Sequence, residues 1–295
     1  MKRRVIVRSL ALLVLAAGAG CAADQAYIAE IQKWRQENDE FLRSEKSPLR
    51  LVGRFQVAEG VSTLGSDPAS TIVFPDRAPK QIGTLTRHDK TFTFEAAAGT
   101  SITVNGQPLS GSATLKVVKP PAPSDRIGTG DFLFAIRPLG EDYYLLLQDS
   151  QSSYLREFKG STWFPIDAAY KVEAQFSAYS QEEKVQIPYT GGSAEVFTAS
   201  GDLVFQLEGQ TLRLKAFVTG DQLFVMFRDQ TSGKETYGGG RYINAEAPKD
   251  GKVILDFNKA YNPYCAFSPY AACPIPPRQN HLPIPIVAGA RYAGH

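Results

Sequence analysis

Asp256 and Asn258 stand two residues apart in Val253-Ile254-Leu255-Asp256-Phe257-Asn258. On a strand, that spacing sends both side chains to one face while Leu255 and Phe257 take the other. An acid and an amide side by side on an otherwise apolar sheet need polar partners. Arg241 is the nearest suitable cation, Thr236 and Tyr237 lie a few residues before it, and Tyr261-Asn262 follows the strand's exit. Tyr237, Arg241, Asp256, Asn258, Tyr261 and Asn262 are therefore the candidate ligand-binding residues of one polar pocket, in which Asp256 near Arg241 could serve a hydrolase as acid or base. The other reading is a buried Arg241–Asp256 ion pair that fixes how the last loop packs, with both asparagines satisfying backbone groups. An open cleft with a raised carboxyl pKa would favour the enzyme, and a closed pair the scaffold.

Other catalytic chemistry has little to work with. The three histidines are His88 in a polar turn, His281 in a proline-rich tail and His295 at the terminus, which leaves a nucleophile–histidine relay few places to form. Paired carboxylates would have to join Asp256 to Glu235 or Asp229, which spacing alone does not show. Cys265, Cys273 and His281 offer zinc three ligands without an obvious fourth, so no metal and no cofactor is assigned. Gly238-Gly239-Gly240 lacks the strand-to-helix context of a phosphate loop and reads as a bulge or flexible turn. A net charge of +2 with no run of five like charges argues against nucleic acid as a partner.

The first twenty residues predict export. Lys2, Arg3, Arg4 and Arg8 precede an apolar run from Leu10 to Ala17, which closes on Gly18-Ala19-Gly20-Cys21. The run is about half of the roughly twenty residues a spanning helix needs. Cleavage before Cys21 resembles the lipobox of bacterial lipoproteins, whose cysteine receives a diacylglycerol, although Gly18 replaces the usual Leu. The expected product is a lipoprotein of the cell envelope, tethered to a membrane through lipidated Cys21. Ala22 and Ala23 lack the Asp that resembles an inner-membrane retention signal, so the outer membrane, facing the periplasm, is expected in a Gram-negative host. Its partner there would be an unknown small molecule or envelope protein. Once Cys21 is lipidated, Cys265 and Cys273 remain as an even pair in an oxidising compartment, and a disulfide is expected between them.

The elements that must position these residues are almost all strands. After residues 1–20, residues 21–47 hold the lipidated N-terminus and one amphipathic helix, capped by Asp24, whose apolar residues Tyr27, Ile31, Trp34, Phe41 and Leu42 recur at helical steps. It must end before Ser47-Pro48. Short β-branched or aromatic runs follow, beginning at Val52–Val57 and ending at Lys252–Phe257, with turn residues such as Asn105-Gly106, Gly201-Asp202 and Gly220-Asp221 between them. Hydrophobic content of 43% suits a globular chain. The expected fold is mainly β: an N-terminal helix followed by antiparallel sandwich or barrel modules. Lys119-Pro120-Pro121-Ala122-Pro123-Ser124 marks a linker or loop over 119–128, between a small module at 48–118 and a larger one at 129–295 that carries a Cys- and Pro-rich motif.

Two resemblances add to this. Leu64-Gly65-Ser66-Asp67-Pro68, Ile72-Val73-Phe74-Pro75 and Val104-Asn105-Gly106 resemble the forkhead-associated β-sandwich, which binds phosphothreonine. Ser66 replaces the Arg that would grip the phosphate, so the likeness is read as shared sandwich turn chemistry, with Asn105-Gly106 a type I′ hairpin. Gly240-Arg241-Tyr242, Asp256-Phe257-Asn258-Lys259-Ala260-Tyr261-Asn262-Pro263-Tyr264-Cys265-Ala266-Phe267 and Cys273-Pro274-Ile275-Pro276-Pro277 with Asn280 closely resemble the bacterial domain-of-unknown-function family 1684 over most of the mature chain. Trp34-Arg35 and Trp163-Phe164-Pro165-Ile166-Asp167 fit its pattern, and Tyr264 departs from it. The resemblance implies fold boundaries and important positions, but no activity. Binding or scaffolding at the membrane surface is the leading expectation, and an extracytoplasmic hydrolase the alternative.

Overall fold

The computed structural model describes residues 14–119 and 122–292, with side chains from Asp24 onward. Lys2, Arg3, Arg4, Arg8 and the start of the apolar run lie outside the described residues, and so does the Cys21 side chain. Helix α1 spans Val14–Arg43, so it begins ten residues before the expected Asp24 cap. The small and apolar residues between contain no proline to interrupt a helix. Its C-terminal end is as expected: Ser47 caps the next 3-10 turn, Pro48–Arg50, by accepting the Leu49 N–H at 3.0 Å. No helix among the described residues is long and apolar enough to cross a membrane.

Eleven strands build the first module: β1 (Leu51–Gln56), β2 (Gly60–Gly65), β3 (Ile72–Val73), β4 (Gly83–His88), β5 (Thr91–Ala96), β6 (Thr103–Val104), β7 (Gln107–Pro108), β8 (Ser112–Leu115), β9 (Arg126–Thr129), β10 (Phe132–Leu139) and β11 (Asp142–Asp149). One sheet has the order β1-β11-β10-β9-β6-β7 and the other β3-β2-β4-β5-β8. They close on one core in which Phe74 packs edge-on against Phe132 and Phe134. Because β1 pairs with β11 and β6 with β9, strands on both sides of the proline-rich stretch belong to one sandwich. The boundary expected over 119–128 is therefore a loop inside the first module, which ends near Asp149. A ladder partner, not a proline count, decides where a β domain ends. Asn105 and Gly106 adopt φ 51° and 80° and join Val104 to Gln107, as the type I′ reading requires.

After the short helix α2 (Ser153–Glu157), six strands form the second module: β12 (Lys171–Pro188), β13 (Ala194–Leu207), β14 (Gln210–Thr219), β15 (Gln222–Phe227), β16 (Arg241–Glu246) and β17 (Lys252–Asp256). The order β16-β15-β14-β13-β12-β17 is antiparallel, and its edge strands β16 and β17 lie against each other, so the sheet is nearly a closed barrel. Gly201-Asp202, expected as a turn, lies inside β13, where the register shifts between Ala199 and Gly201 and a bulge absorbs the glycine.

Asn280 joins the tail to this barrel. The ladder between β14 and β15 covers only Phe217–Thr219. Beyond it, completely buried Asn280 takes the Lys215 N–H on Oδ1 at 2.7 Å and donates from Nδ2 to the carbonyls of Lys215 (3.0 Å) and Met226 (2.8 Å). One amide side chain thus replaces ladder hydrogen bonds where two strands part.

Candidate functional site

Arg241 opens β16 and has 1% of its surface exposed. Its Nη2 donates to Asp229 Oδ2 and to the Ile286 carbonyl, both at 2.8 Å, and its Nη1 to the carbonyls of Ala288 and Ala290. The guanidinium therefore gathers alternate carbonyls of the C-terminal tail, and lies over the Phe227 ring at 5.2 Å. Burial depresses the Arg241 pKa while the Asp229 carboxylate opposes the shift. Asp229 is held in turn by the Thr231 N–H and hydroxyl at 2.7 and 2.5 Å. The glycine triplet reaches this position through a tight turn, closed by Gly240 N–H to Tyr237 C=O at 3.0 Å. Gly240 has φ +96°, and a Cβ there would stand 2.6 Å from the Phe227 carbonyl oxygen.

Asp256 ends β17 and serves other partners. The hydroxyl of Tyr27, on α1, donates to both of its carboxylate oxygens at 2.9 and 3.0 Å. The Asn258 N–H reaches Oδ1 at 3.0 Å, so Asp256 caps a 3-10 turn, Phe257–Lys259. Asn258 is completely buried; its Nδ2 donates to the Asp167 carbonyl at 2.8 Å, and its Oδ1 accepts the Asp167 N–H at 3.1 Å. Tyr27's phenol is pushed above its ordinary range, first by burial and then by the Asp256 charge. Around this clamp the helix is bound to the barrel along its length. Lys259 pairs with Glu30 at 2.5 Å, Trp34 meets Trp163 edge-on at 5.6 Å, Arg35 Nη1 donates to the Phe164 carbonyl at 3.1 Å, and Asp39 accepts the Ser161 N–H.

The remaining candidates are dispersed. Tyr237 donates its hydroxyl to the Cys265 carbonyl at 3.1 Å and packs edge-on against Tyr292. Tyr261 pairs through its backbone with Tyr242. Asn262 holds the tail by donating to the Arg291 carbonyl at 3.0 Å.

The structure thus corrects three expectations. First, the six candidates do not line one pocket; they fasten a helix, a tail and a turn. Surface grooves lie elsewhere, beside Arg126 and Gln148, beside Thr84 and Glu95, and along the module junction at Leu51 and Tyr264. Second, the buried ion pair exists, but Arg241 pairs with Asp229 and not with Asp256. Asn258 sits past the end of the strand, which turns at Asp256. Third, Cys265 and Cys273 are free thiols and not a disulfide. They are side by side, with the Cys265 N–H donating to Cys273 Sγ at 3.1 Å. Among the described residues no cluster of three metal-binding side chains occurs, and His281 Nε2 faces the Pro276 carbonyl at 3.4 Å. Tyr27 was legible only as one more apolar position of the helix, and Asp229 only as one acid among several near Arg241.

The family described as "Protein of unknown function (DUF1684)" matches residues 156–291, which cover the barrel, the tail and part of α2 but not α1 or the sandwich. A solved structure of an uncharacterised protein from Haloarcula marismortui is 36% identical over 46% of this chain and 78% of its own, with a TM-score of 0.40. A crystal structure of Rad53 1-466 in complex with AMP-PNP is 13% identical over 67% of this chain and 46% of its own, with a TM-score of 0.21. No curated protein matches.

Proposed function

We propose, for a chain that belongs to the family of unknown function DUF1684 through residues 156–291, a role as an envelope lipoprotein that works by binding or scaffolding at the membrane surface. The observation that carries the proposal is the clamp between α1 and the barrel. Tyr27, six residues after Cys21, is bonded to Asp256, so a lipid on Cys21 would hold the barrel close to the bilayer. At about 1.5 Å per helical residue, the tether would span only about 9 Å.

Two further features favour a platform over an enzyme. Asp256 and Arg241, the acid and cation of the hydrolase alternative, are 6% and 1% exposed and are engaged in holding secondary elements together. The two modules are also locked to each other. Leu51 of the sandwich packs into a core with Ile187, Phe217 and Met226 of the barrel, and Ser268 donates its hydroxyl to the Leu51 carbonyl at 2.9 Å. A junction of this kind resists the domain motion that would open a cleft. The sandwich surface is then free to meet an envelope protein or small ligand. Its likeness to a phosphothreonine reader does not extend to the phosphate contact, because the Ser66 hydroxyl is spent on the Ala78 carbonyl at 2.7 Å.

Cys21→Ala is expected to abolish incorporation of a palmitate analogue in the native host and to leave a soluble or uncleaved precursor in place of mature lipoprotein. A fully processed lipoprotein cysteine carries several acyl chains, enough for stable attachment. Equal labelling of wild type and variant would defeat the tether. Fractionation of the labelled wild type reports the membrane, with the outer membrane expected in a Gram-negative host.

A further inference from the structure

Cys265 and Cys273 differ in nearly every respect that governs thiol chemistry. Cys265 sits in a short 3-10 turn, Tyr264–Ala266, and is partly exposed. Cys273 is 4% exposed and packed in the core that joins the modules. Cys273 is also fixed through its backbone, donating its N–H to Thr190 Oγ1 at 3.0 Å and accepting the Thr190 N–H at 2.9 Å. The Cys265 N–H points at Cys273 Sγ at 3.1 Å, so the buried sulfur lies against the backbone of the exposed one. The Cys273 thiol is within hydrogen-bonding reach of the Cys265 sulfur, and the Thr190 hydroxyl and the Tyr237 hydroxyl, the latter bonded to the Cys265 carbonyl, lie beside it. Donors of this kind stabilise a thiolate, and they draw the Cys265 pKa down to about 7, the Cys273 contact being the largest cause. The same contact, followed by burial, pushes the Cys273 thiol up. One sulfur is therefore poised as an anion and the other as the donor of the proton that stabilises it.

We propose that Cys265 and Cys273 form a redox-active pair oxidised by hydroperoxides, with Cys265 the attacking sulfur and Cys273 the resolving one. In the first step the Cys265 thiolate displaces hydroxide from the peroxide, the O–O bond breaks, and Cys265 becomes a sulfenic acid. In the second step the Cys273 sulfur attacks the Cys265 sulfur, the S–O bond breaks, and water leaves with the Cys273 proton. The net change converts two thiols and one hydrogen peroxide into one disulfide and two waters. A small neutral oxidant suits a sulfur in a partly exposed residue whose partner is buried. The inference is independent of the lipid tether.

The test uses the purified full-length mature chain, reduced and then treated with stoichiometric hydrogen peroxide in the presence or absence of dimedone. Wild type should lose two hydrogens by intact mass, give one peptide linking Cys265 to Cys273, and return to the dithiol in reduced glutathione. Cys273→Ser should trap dimedone at Cys265, and Cys265→Ser should oxidise at Cys273 at least about tenfold more slowly. Without any variant, iodoacetamide should modify wild-type Cys265 before Cys273, with a half-maximal rate near pH 7 as the depressed thiol pKa requires. Equal oxidation rates of Cys265→Ser and Cys273→Ser, a dimedone adduct on Cys273 of wild type, a bridge that glutathione cannot reopen, or alkylation titrating in the ordinary thiol range would each overturn the proposal.

Discussion

Arg241→Met is expected to cost about 3 to 5 kcal/mol of folding stability, because it leaves the Asp229 carboxylate buried without its counter-charge. Both side chains of the pair are 0% exposed and lie 2.8 Å apart, so no solvent screens the loss. The same substitution removes the donors that hold the carbonyls of Ile286, Ala288 and Ala290. Asp229→Asn keeps the shape and the contacts to Thr231 but leaves the guanidinium uncompensated, and a loss of similar size, about 3 to 5 kcal/mol, is expected. In the double variant neither charge remains, so its loss should fall short of the sum of the singles by about 0.5 to 3 kcal/mol, the range seen for side chains in direct contact. Urea denaturation followed by circular dichroism, with the two modules fitted as separate transitions, measures all four corners of the cycle. Limited proteolysis gives an independent readout, since cleavage within 282–291 should accelerate in both single variants. Additive losses below about 1 kcal/mol would mean that the pair is not the lock of the tail.

Asn280→Ala should be nearly as damaging. Its single side chain serves one buried N–H and two buried carbonyls, and each orphaned group costs about 1 to 3 kcal/mol. A total of about 3 to 5 kcal/mol is expected, with the barrel's transition moving and the sandwich's staying in place. Hydrogen exchange offers a local check, because the Lys215 amide donates only to Asn280 at that end of β14 and should lose its protection first. A loss under about 1 kcal/mol, with Lys215 still protected, would show that the strands can close on each other without the wedge.

Much of the architecture could be read from residue type. The β-branched and aromatic runs at Val52–Val57, Phe132–Ile136 and Gln222–Phe227 became strands, and Asn105-Gly106 became a hairpin turn because only residues that tolerate positive φ suit that geometry. Several strands, β2, β4, β5 and β16 among them, fall outside the runs expected from the sequence. In β4 only Leu85 is buried, and in β2 Ser62 and Leu64 face the core while Val61 and Thr63 face solvent, so neither strand alternates cleanly between apolar and polar residues. The module boundary was misplaced for a different reason: prolines announce a break in a ladder but not which strands pair around it. For the site, sequence picked out Arg241, Asp256 and Asn258 as residues that need partners, and all three have them. It could not choose the partners. Asp229, Glu235 and Asp256 are all acids near Arg241 in sequence, and the hydroxyl that binds Asp256 comes from Tyr27, 229 positions away. Long-range pairing of this sort is decided by packing, of which spacing along the chain holds no record.

Hydrogen exchange across residues 24–43 of α1, compared between wild type and Asp256→Ala, tests most directly whether Asp256 is a clamp or a reacting group. With the carboxylate gone, the Tyr27 hydroxyl and the Asn258 N–H lose their acceptor, and a charge-assisted pair of bonds is worth about 1.5 to 3 kcal/mol. The helix should therefore open about ten- to a hundredfold more often around Tyr27, with protection in β13 and β14 retained. Unchanged protection of α1, together with an unchanged or raised melting temperature, would contradict the clamp and identify Asp256 as a carboxylate held in reserve for a ligand.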